Sequence, residues 1–248
     1  MAIPKIVLLQ ARQPSDPMKQ HEIDCFVQTT KLSEKSFDII NLSQGVCSFT
    51  DIEKYDAVML GGSGDFSVVK GGFDWHQPML DLIKQIIDKR KPAFASCFGF
   101  QALVQSLGGE LESCPKKGEV GTFEISLTTE GKDDPLFSSY PSTFNAQLGH
   151  NDSVTLLPED LVHLASSQRC HYQAVRVRGT SIVGTQFHPE LDHITNLDRY
   201  MYYIEHYKQP GESLEEATER AHSIHEEGEE AARLLQKYLE VELGYTPA

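Results

Sequence analysis

The sequence lacks several features that would place it in common classes of protein. Its 248 residues contain no apolar run approaching the roughly 20 residues that a membrane-spanning helix requires. Residues 1–5 carry no apolar core of a signal peptide. Basic residues are scarce, with 22 Lys and Arg against 36 Asp and Glu, and they form no stripe that could bind nucleic acid. We therefore expect a protein that contacts neither membranes nor nucleic acids.

Cysteine residues are few, and the one glycine-rich run matches neither of two common nucleotide-binding motifs. The five cysteines are an odd number, form no C-x-x-C pair and show no zinc spacing, which favours a reduced, cytoplasmic protein. The run Gly61-Gly62-Ser63-Gly64 is neither a P-loop nor a dinucleotide fingerprint. Taken alone, this run predicts only a turn.

The first half of the chain alternates between strand and helix patterns. Apolar strand patterns at 6–9, 37–40, 55–60 and 92–95 are separated by helical patterns, of which those at about 17–32 and 74–90 are the longest. This rhythm predicts an α/β fold with a flavodoxin-like, doubly wound and mostly parallel sheet. In such sheets, functional sites form at the carboxyl ends of the strands.

The rhythm changes after Gly108-Gly109, where strand patterns follow one another with little helix between them. These patterns lie at about 110–128, 142–149, 161–167, 171–177 and 180–187. They predict an antiparallel, β-rich extension of the sheet, followed by a closing helix at about 193–208. We place a first domain at 1–209 and an acidic helical extension at 210–248, with one long helix from Glu212 to Glu242 kinked near Gly228. The extension either packs on the body or binds a second chain.

The run from Lys91 to Leu103 predicts a buried strand that turns directly into a helix, with Cys97 on the corner. Small neighbours, Ala95 and Gly99, allow a sharp turn like the one that exposes the nucleophile in serine hydrolases. A helix N-terminus favours a thiolate, and the Phe98 amide could donate to an oxyanion. The alternative for this stretch alone is a buried cysteine that only fills space.

The run from Gln186 to Glu190 supplies a base and a carboxylate. Pro189 disfavours helix at His188, so the segment stays extended. In an extended chain, residues two apart project to the same side, so His188 and Glu190 face the same way. Together with Cys97 they predict a triad of nucleophile, base and orienting carboxylate.

The segments Ala95–Gln101 and Gly184–Glu190 resemble those of a class I, triad-type glutamine amidotransferase domain. The resemblance is greatest to the glutaminase part of GMP synthase and to its free-standing relatives, and it covers roughly residues 4 to 208. Two positions depart from the family pattern. Ala95 stands where the family usually has glycine, and Phe100 stands where it often has histidine.

The resemblance implies further site residues around the nucleophile. It assigns the oxyanion hole to the amides of Gly62 and Phe98. It assigns the substrate pocket to Gly64, Gln101, His150, Asn151 and Asp152, with Asn151 in place of the family's glycine. Residues 66–75 form either a flap over this pocket or an ordinary surface loop.

These features predict a cysteine amidohydrolase that cleaves the side-chain amide of glutamine through a γ-glutamyl thioester, with no metal or organic cofactor. The chain has no ATP-binding P-loop, so an amidotransferase would pass ammonia to a separate synthetase subunit. One alternative is a stand-alone γ-glutamyl peptidase or amidase acting on small γ-glutamyl compounds. Another is a binding module without activity, against which the intact Cys97, His188 and Glu190 argue.

Overall fold

The computed structural model describes residues 2–209, 211–228 and 230–246. The strands are β1 (Ile6–Gln10), β2 (Phe37–Asn41), β3 (Ala57–Leu60), β4 (Ala93–Ser96), β5 (Glu110–Ser113), β6 (Glu119–Leu127), β7 (Thr143–His150), β8 (Asp152–Leu156), β9 (Leu161–Ser166), β10 (Ala174–Val177) and β11 (Ile182–Thr185). The α-helices are α1 (Met18–Thr30), α2 (Phe49–Ile52), α3 (His76–Asp88), α4 (Phe98–Ser106), α5 (Thr129–Asp133), α6 (His193–Tyr202), α7 (Ile204–Tyr207), α8 (Leu214–Ile224) and α9 (Leu234–Leu243).

Nine strands form one sheet in the order β2-β1-β3-β4-β11-β10-β9-β6-β7. The first five are parallel to one another, and their order is that of flavodoxin-like sheets. The remaining four are joined by antiparallel pairing. The predicted fold, a doubly wound parallel sheet with an antiparallel extension, is confirmed.

The strand β11 belongs to the parallel part although it follows the antiparallel strands in sequence. It pairs with β4 in a register that sets Ile182 beside Ala93 and Thr185 beside Ser96. Parallel neighbours end at the same edge of a sheet. The residues that follow Ser96 and Thr185 therefore leave the sheet side by side.

Alternate side chains of the parallel strands bury two separate apolar layers, as the period of two along a strand requires. Val7 and Leu9 of β1 pack in the layer that contains α3 and α4. Ile6 and Leu8 pack in the opposite layer, which contains Phe26 of α1 and the buried face of α9. The uninterrupted apolar runs of these strands thus reflect burial on both faces.

The β-rich half differs from the prediction in two places. The predicted strand at 110–128 is two strands, because a short 3₁₀ turn at Pro115–Lys117 interrupts it and proline cannot donate to a ladder. The strand β8 was not predicted. It pairs with β5 in a separate two-stranded ladder, directly after the segment Gly149–Asn151.

The C-terminal part is two helices, so the prediction of one long helix was wrong. His225 is extended (φ −104°, ψ 105°), and the N–H of Glu226 donates to Oγ1 of Thr122 on β6 at 2.8 Å. A Cβ on Gly228 would lie 3.1 Å from Cβ of Asn145, so the glycine permits a close approach to β7. The chain crosses the sheet here and cannot stay helical.

The two C-terminal helices pack on the body of the protein. The helix α8 buries Ala217 and Ala221 against α6, and α9 buries four side chains in the layer that contains α1. Those four are Leu234, Leu235, Tyr238 and Leu239. The division of the chain at residue 209 remains a prediction, but its C-terminal part supplies side chains to a shared core. Among the described residues, no helix combines the length and the apolarity needed to cross a bilayer.

Truncation of a buried α9 side chain tests this packing. We expect Leu235→Ala to lower the free energy of unfolding of the whole protein by about 2–5 kcal/mol, because it leaves a cavity in a shared core. Leu214→Ala, at a leucine that is 54% exposed on α8, is the matched control and should change stability by less than about 0.5 kcal/mol. Urea denaturation followed by circular dichroism measures both. Equal, small effects of the two substitutions would contradict the shared core.

Candidate active site

Cys97 lies on a strained corner between β4 and α4. Its φ of 50° and ψ of −104° place a non-glycine residue in a conformation that costs about 1–3 kcal/mol. The Cys97 N–H donates to the carbonyl of Thr185 at 2.8 Å, which ties the corner to the end of β11. A Cβ on Gly99 would lie 2.6 Å from Cβ of Leu60, so only glycine lets α4 start this close to β3. The predicted nucleophile elbow is therefore present.

His188 and Glu190 form a buried hydrogen-bonded pair. The two atoms, Nδ1 of His188 and Oε1 of Glu190, lie 2.7 Å apart. The backbone N–H of His188 donates to the carbonyl of Gln147 at 2.9 Å, so β7 also holds this segment. With Nδ1 committed to the carboxylate, Nε2 is the ring nitrogen left for the thiol.

The electrostatics of the site favour the charged forms of this pair. Burial lowers the pKa of His188, but the charges of Glu190 and Cys97 outweigh it, and the net shift is upward. Burial likewise raises the pKa of Glu190, but the imidazolium of His188 and the guanidinium of Arg199 outweigh it, and the net shift is downward. A raised histidine pKa and a lowered carboxyl pKa mean that the ion pair persists at neutral pH.

The side chain of Gln186 is a site residue that was not predicted from the sequence. Its Nε2 lies 3.7 Å from the Cys97 sulfur, within donor range for sulfur. Its Oε1 accepts from Nε2 of Gln101 at 3.1 Å, and that same nitrogen donates to the carbonyl of Asp152 at 3.0 Å. Gln101 thus joins α4, the segment after β11 and the pocket wall. The sequence signal that could have identified Gln186 is its position two residues before His188 in an extended segment, because such residues project to the same side.

A cavity of about 550 Å³ opens over Cys97 and Phe98. All five residues predicted to form the substrate pocket line it: Gly64, Gln101, His150, Asn151 and Asp152. Their role in binding stays a prediction. Residues from α7, His206 and Tyr207, also line the cavity and were not predicted.

The loop at 66–75 is part of the cavity wall and is anchored to it. The Ser67 hydroxyl donates to Oδ2 of Asp152, and Val68 is fully buried. The rings of Phe66, Phe73 and Trp75 contact one another, with centroids 4.2–5.2 Å apart. These contacts fit a wall of the pocket better than an ordinary surface loop.

A buried polar cluster supports the opposite wall. The ring of His150 contacts the carbonyl of Asp152 through Nδ1 (2.9 Å) and the carboxylate of Glu119 through Nε2 (3.1 Å). Glu119 also accepts from Gln173 and from Ser167, both at 2.6 Å.

Among the described residues, Glu119, His150 and Cys170 are the one group close enough to share a metal ion. Their donor atoms lie within 4.8 Å of one another. Both ring nitrogens of His150 and both oxygens of Glu119 already have hydrogen-bond partners. We interpret the cluster as support for the pocket wall.

The predicted oxyanion-hole residues differ in their surroundings. Phe98 lines the cavity and is the first residue of α4, so its N–H has no acceptor within the helix. The N–H of Gly62 instead donates to Oε1 of Glu22 at 3.2 Å, and Ser63 and Gly64 are the loop residues that line the cavity. In this conformation the Gly62 amide is engaged elsewhere, so its predicted role requires the loop to move.

Glu22 belongs to a buried ion-pair network that holds this loop. Arg12 donates to both carboxylate oxygens of Glu22, from Nε at 3.1 Å and from Nη2 at 3.0 Å. It also donates to Asp16 and to the hydroxyl of Tyr203. This network was not predicted, because its members are far apart in the chain and no local spacing marks them.

Comparisons with known proteins agree with this geometry. The family model described as glutamine amidotransferase class-I matches residues 21–203. A glutamine-hydrolyzing GMP synthase from Thermosipho africanus is 35% identical over 116 residues, which cover 47% of this chain and 22% of that protein. One subunit of a glutamine-hydrolyzing GMP synthase from Methanospirillum hungatei is 30% identical over 141 residues, covering 57% of this chain and 67% of that one.

The chain spans about a fifth to a quarter of the length of several GMP synthases that it matches, from 19% to 25%. Among solved structures, a glutamine amidotransferase from Thermotoga maritima has a TM-score of 0.72 at 21% identity, covering 96% of this chain and 98% of that one. A glutamine amido transferase from Methylobacillus flagellatus has a TM-score of 0.71 at 15% identity, covering 96% and 95%. At such low identity these two structures support the fold alone.

Selective alkylation tests the activation of Cys97. Burial raises the pKa of Cys25 to about 12 and that of Cys170 to about 11, and it also raises the pKa of Cys47. We expect iodoacetamide at neutral pH to modify Cys97 at least about 10-fold faster than the other four cysteines, measured by peptide mass spectrometry. Cys114, which is half-buried, is the internal reference. Faster labelling of Cys114 than of Cys97 would show that the elbow does not activate its thiol.

Substitution of Gly62 tests whether the loop at 61–64 fixes the position of the His188 ring. A Cβ there would lie 2.9 Å from Cε1 of His188, so the ring must shift. We expect Gly62→Ala to lower the kcat of the reaction at Cys97 by about 10²-fold, because displacing a reacting group by about 1 Å costs that much. Thermal melting of the same variant serves as the control for unfolding. A folded variant with an unchanged kcat would argue against this contact.

Proposed function

The chain belongs to the class-I glutamine amidotransferase family, and on this premise we propose that it hydrolyses the side-chain amide of glutamine through a thioester on Cys97. The observation that carries the proposal is that the elbow cysteine lines a cavity and interacts with the ring of His188 through a side-chain hydrogen bond, while Glu190 holds the Nδ1 atom of that ring. This constellation is typical of nucleophilic acyl transfer.

The proposed reaction uses the triad twice. The Cys97 thiolate adds to the amide carbon and gives a tetrahedral oxyanion. The imidazolium of His188 donates its Nε2 proton to the departing nitrogen, the C–N bond breaks, and ammonia leaves a γ-glutamyl thioester. His188 then takes a proton from water, and the resulting hydroxide attacks the thioester, breaks the C–S bond and expels the Cys97 thiolate. The γ-carboxyl group of the product loses its proton to solvent, glutamate leaves, and the thiolate–imidazolium pair is restored. Glu190 keeps the ring oriented and stabilises its charged form.

The oxyanion needs two donors in this scheme. Phe98 N–H is one, since it begins a helix at the cavity floor. The second comes from the loop at 61–64. Gly62 N–H would first have to leave the carboxylate of Glu22, and Ser63 and Gly64 of the same loop line the cavity.

The cavity supports recognition of an amino-acid substrate by charged and polar walls. Asp152 is positioned to bind an ammonium group, and Lys70 lines the same cavity and could bind a carboxylate. Gly64, Gln101, His150 and Asn151 would shape the rest of the pocket. No residue of this scheme requires a metal or an organic cofactor.

We also propose a partner and a location. One relative is described as a subunit of a glutamine-hydrolyzing GMP synthase, which supports delivery of ammonia to a separate synthetase subunit. The five cysteines are all free thiols, and a thiol nucleophile must stay reduced, so we place the protein in the cytoplasm.

Removal of the nucleophile tests the proposed function. We expect Cys97→Ser to lower the rate of ammonia release from glutamine by at least about 10³-fold, since the hydroxyl is a far weaker nucleophile at neutral pH. Cys114→Ser is the matched control and should retain full activity. Acid-quenched mass spectrometry of the unsubstituted protein should detect the γ-glutamyl adduct on Cys97.

A panel of γ-glutamyl dipeptides in the same assay separates the two hydrolytic functions. A higher kcat/KM for glutamine than for any dipeptide supports the glutaminase. A higher value for a dipeptide would replace it with a γ-glutamyl peptidase. Full glutamine hydrolysis by Cys97→Ser would rule out Cys97 as the nucleophile and with it the proposed thioester.

A further inference from the structure

Arg199, on α6, is a buried cation that makes no ordinary hydrogen bonds. The residue is only 8% exposed, and within the described ranges none of its three guanidinium nitrogens has a hydrogen-bond partner. Its nearest opposite charge is Oε1 of Glu190, 3.6 Å from Nη1. Burying a charge in this way costs several kcal/mol unless another interaction compensates it.

Arg12 shows that this fold can surround a buried guanidinium with hydrogen-bond and ion-pair partners. Arg12 is even more deeply buried, and it has two carboxylates and a tyrosine hydroxyl as partners. Arg199 has a single carboxylate, and that carboxylate is the one that orients the catalytic base. A purely structural role does not explain why this cation is left with so few partners.

The position of Arg199 links the triad to the loop at 61–64. A small buried cavity of about 20 Å³, large enough for a single water molecule, is lined by Arg199, His188, Asn196 and Ser63 among others. A Cβ on Gly62 would lie 3.9 Å from Nη1 of Arg199 and 2.9 Å from the ring of His188. The guanidinium therefore sits directly behind the reacting groups.

The charges of the site explain what Arg199 does there. The reactive state contains a Cys97 thiolate, a His188 imidazolium and a Glu190 carboxylate, which together carry one net negative charge in a buried place. Adding the guanidinium makes four alternating charges with no net charge. We infer that Arg199 is a positioning residue that holds the Glu190 carboxylate toward His188 and balances the net negative charge of the site, and so maintains the thiolate–imidazolium pair. The inference rests on the catalytic roles proposed for these three residues.

The other titratable groups around this chain of charges do not replace Arg199. Burial lowers the pKa of His21 and raises the pKa of Cys25 and of Tyr207 to about 12 each, so all three are neutral near pH 7. The charges that act on His21 and Cys25 beside the site also include Glu22, Arg12, Asp192 and Asp198, and of these Arg12 is a cation paired with Glu22 and Asp16. Lys70 and His206 line the larger cavity over Cys97. Among the described residues, His188 and Arg199 are the cations within 4.0 Å of Glu190.

The sign of the pH effect follows from this arrangement. The guanidinium is one of the charges that lower the pKa of Glu190. The imidazolium of His188 lowers this pKa as well, so the carboxylate should stay charged between pH 5 and 9 even without Arg199. Loss of the cation instead leaves uncompensated negative charge in a buried place, which opposes formation of the Cys97 thiolate. The pH below which Cys97 stops reacting should therefore move upward. A residue that only fills space would lower stability without moving this limit.

The test measures alkylation of Cys97 by iodoacetamide between pH 5 and 9, followed by mass spectrometry of the Cys97 peptide. Arg199→Met removes the charge at similar length, and Arg199→Lys keeps it. We expect Arg199→Met to shift the acid limb upward by about one pH unit and to slow alkylation near pH 6 by about 10-fold. Arg199→Lys should keep the limb of the unsubstituted protein.

Arg220→Met is the matched control, because Arg220 lies on α8 and pairs with Glu212 away from the triad. Its acid limb should not move. An unshifted limb in Arg199→Met, or an equal shift in Arg220→Met, would overturn the inference. If Arg199→Met does not fold, Arg199→Gln takes its place with the same criterion.

Alkylation needs no substrate, so this test is separate from the proposed function. If Arg199→Met shifts the acid limb of Cys97 alkylation but the unsubstituted protein does not hydrolyse glutamine, the result would contradict the glutaminase proposal and support the role of Arg199. A protein that hydrolyses glutamine but shows no shift would support the glutaminase proposal and overturn the role of Arg199.

Discussion

The parallel pairing of β4 with β11 is the contact on which the site depends. It sets Ser96 beside Thr185, and the bond from Cys97 N–H to the Thr185 carbonyl extends the pairing by one residue. The nucleophile and the base are ninety-one positions apart in sequence, yet they leave the sheet at adjacent strand ends. The antiparallel strands between them serve to return the chain to the centre of the sheet. A disturbance of this register would separate the triad without touching any of its members.

Burial of charge is the second theme of the structure. Two groups of buried ions flank the loop at 61–64, one built on Arg12 and Glu22 and the other on Glu190 and His188. Low dielectric strengthens each pair, but it also makes any unpaired charge costly. The loop is therefore held by networks whose members come from α1, α6, the segment after β1 and the segment after β11. The proposed role of this loop in an oxyanion hole thus depends on residues distant from it in sequence.

Sequence reasoning succeeded where the physical cause is local. The corner at Cys97 follows from small residues on either side, a buried strand before and a helix after. The common orientation of His188 and Glu190 follows from an extended backbone held by Pro189, and the 2.7 Å contact bears it out. Sequence reasoning failed where the conformation depends on contacts between segments that are distant in the chain. The helical pattern at 212–242 continues through Gly228, but the chain has to cross β7 there, and only packing against Asn145 and Thr122 reveals it.

The sequence by itself determined the α/β class with its parallel and antiparallel parts, most of the strands, the turn at Cys97 and the common orientation of His188 and Glu190. Each of these depends on periodicity, on turn chemistry or on a motif of a few adjacent residues, which are written along the chain. Only the tertiary structure decided that Gly62 N–H is taken by Glu22, that Gln186 contacts the thiol and that Arg199 lies behind Glu190. These are contacts between side chains or amides brought together by folding, and no spacing in the sequence encodes their distances.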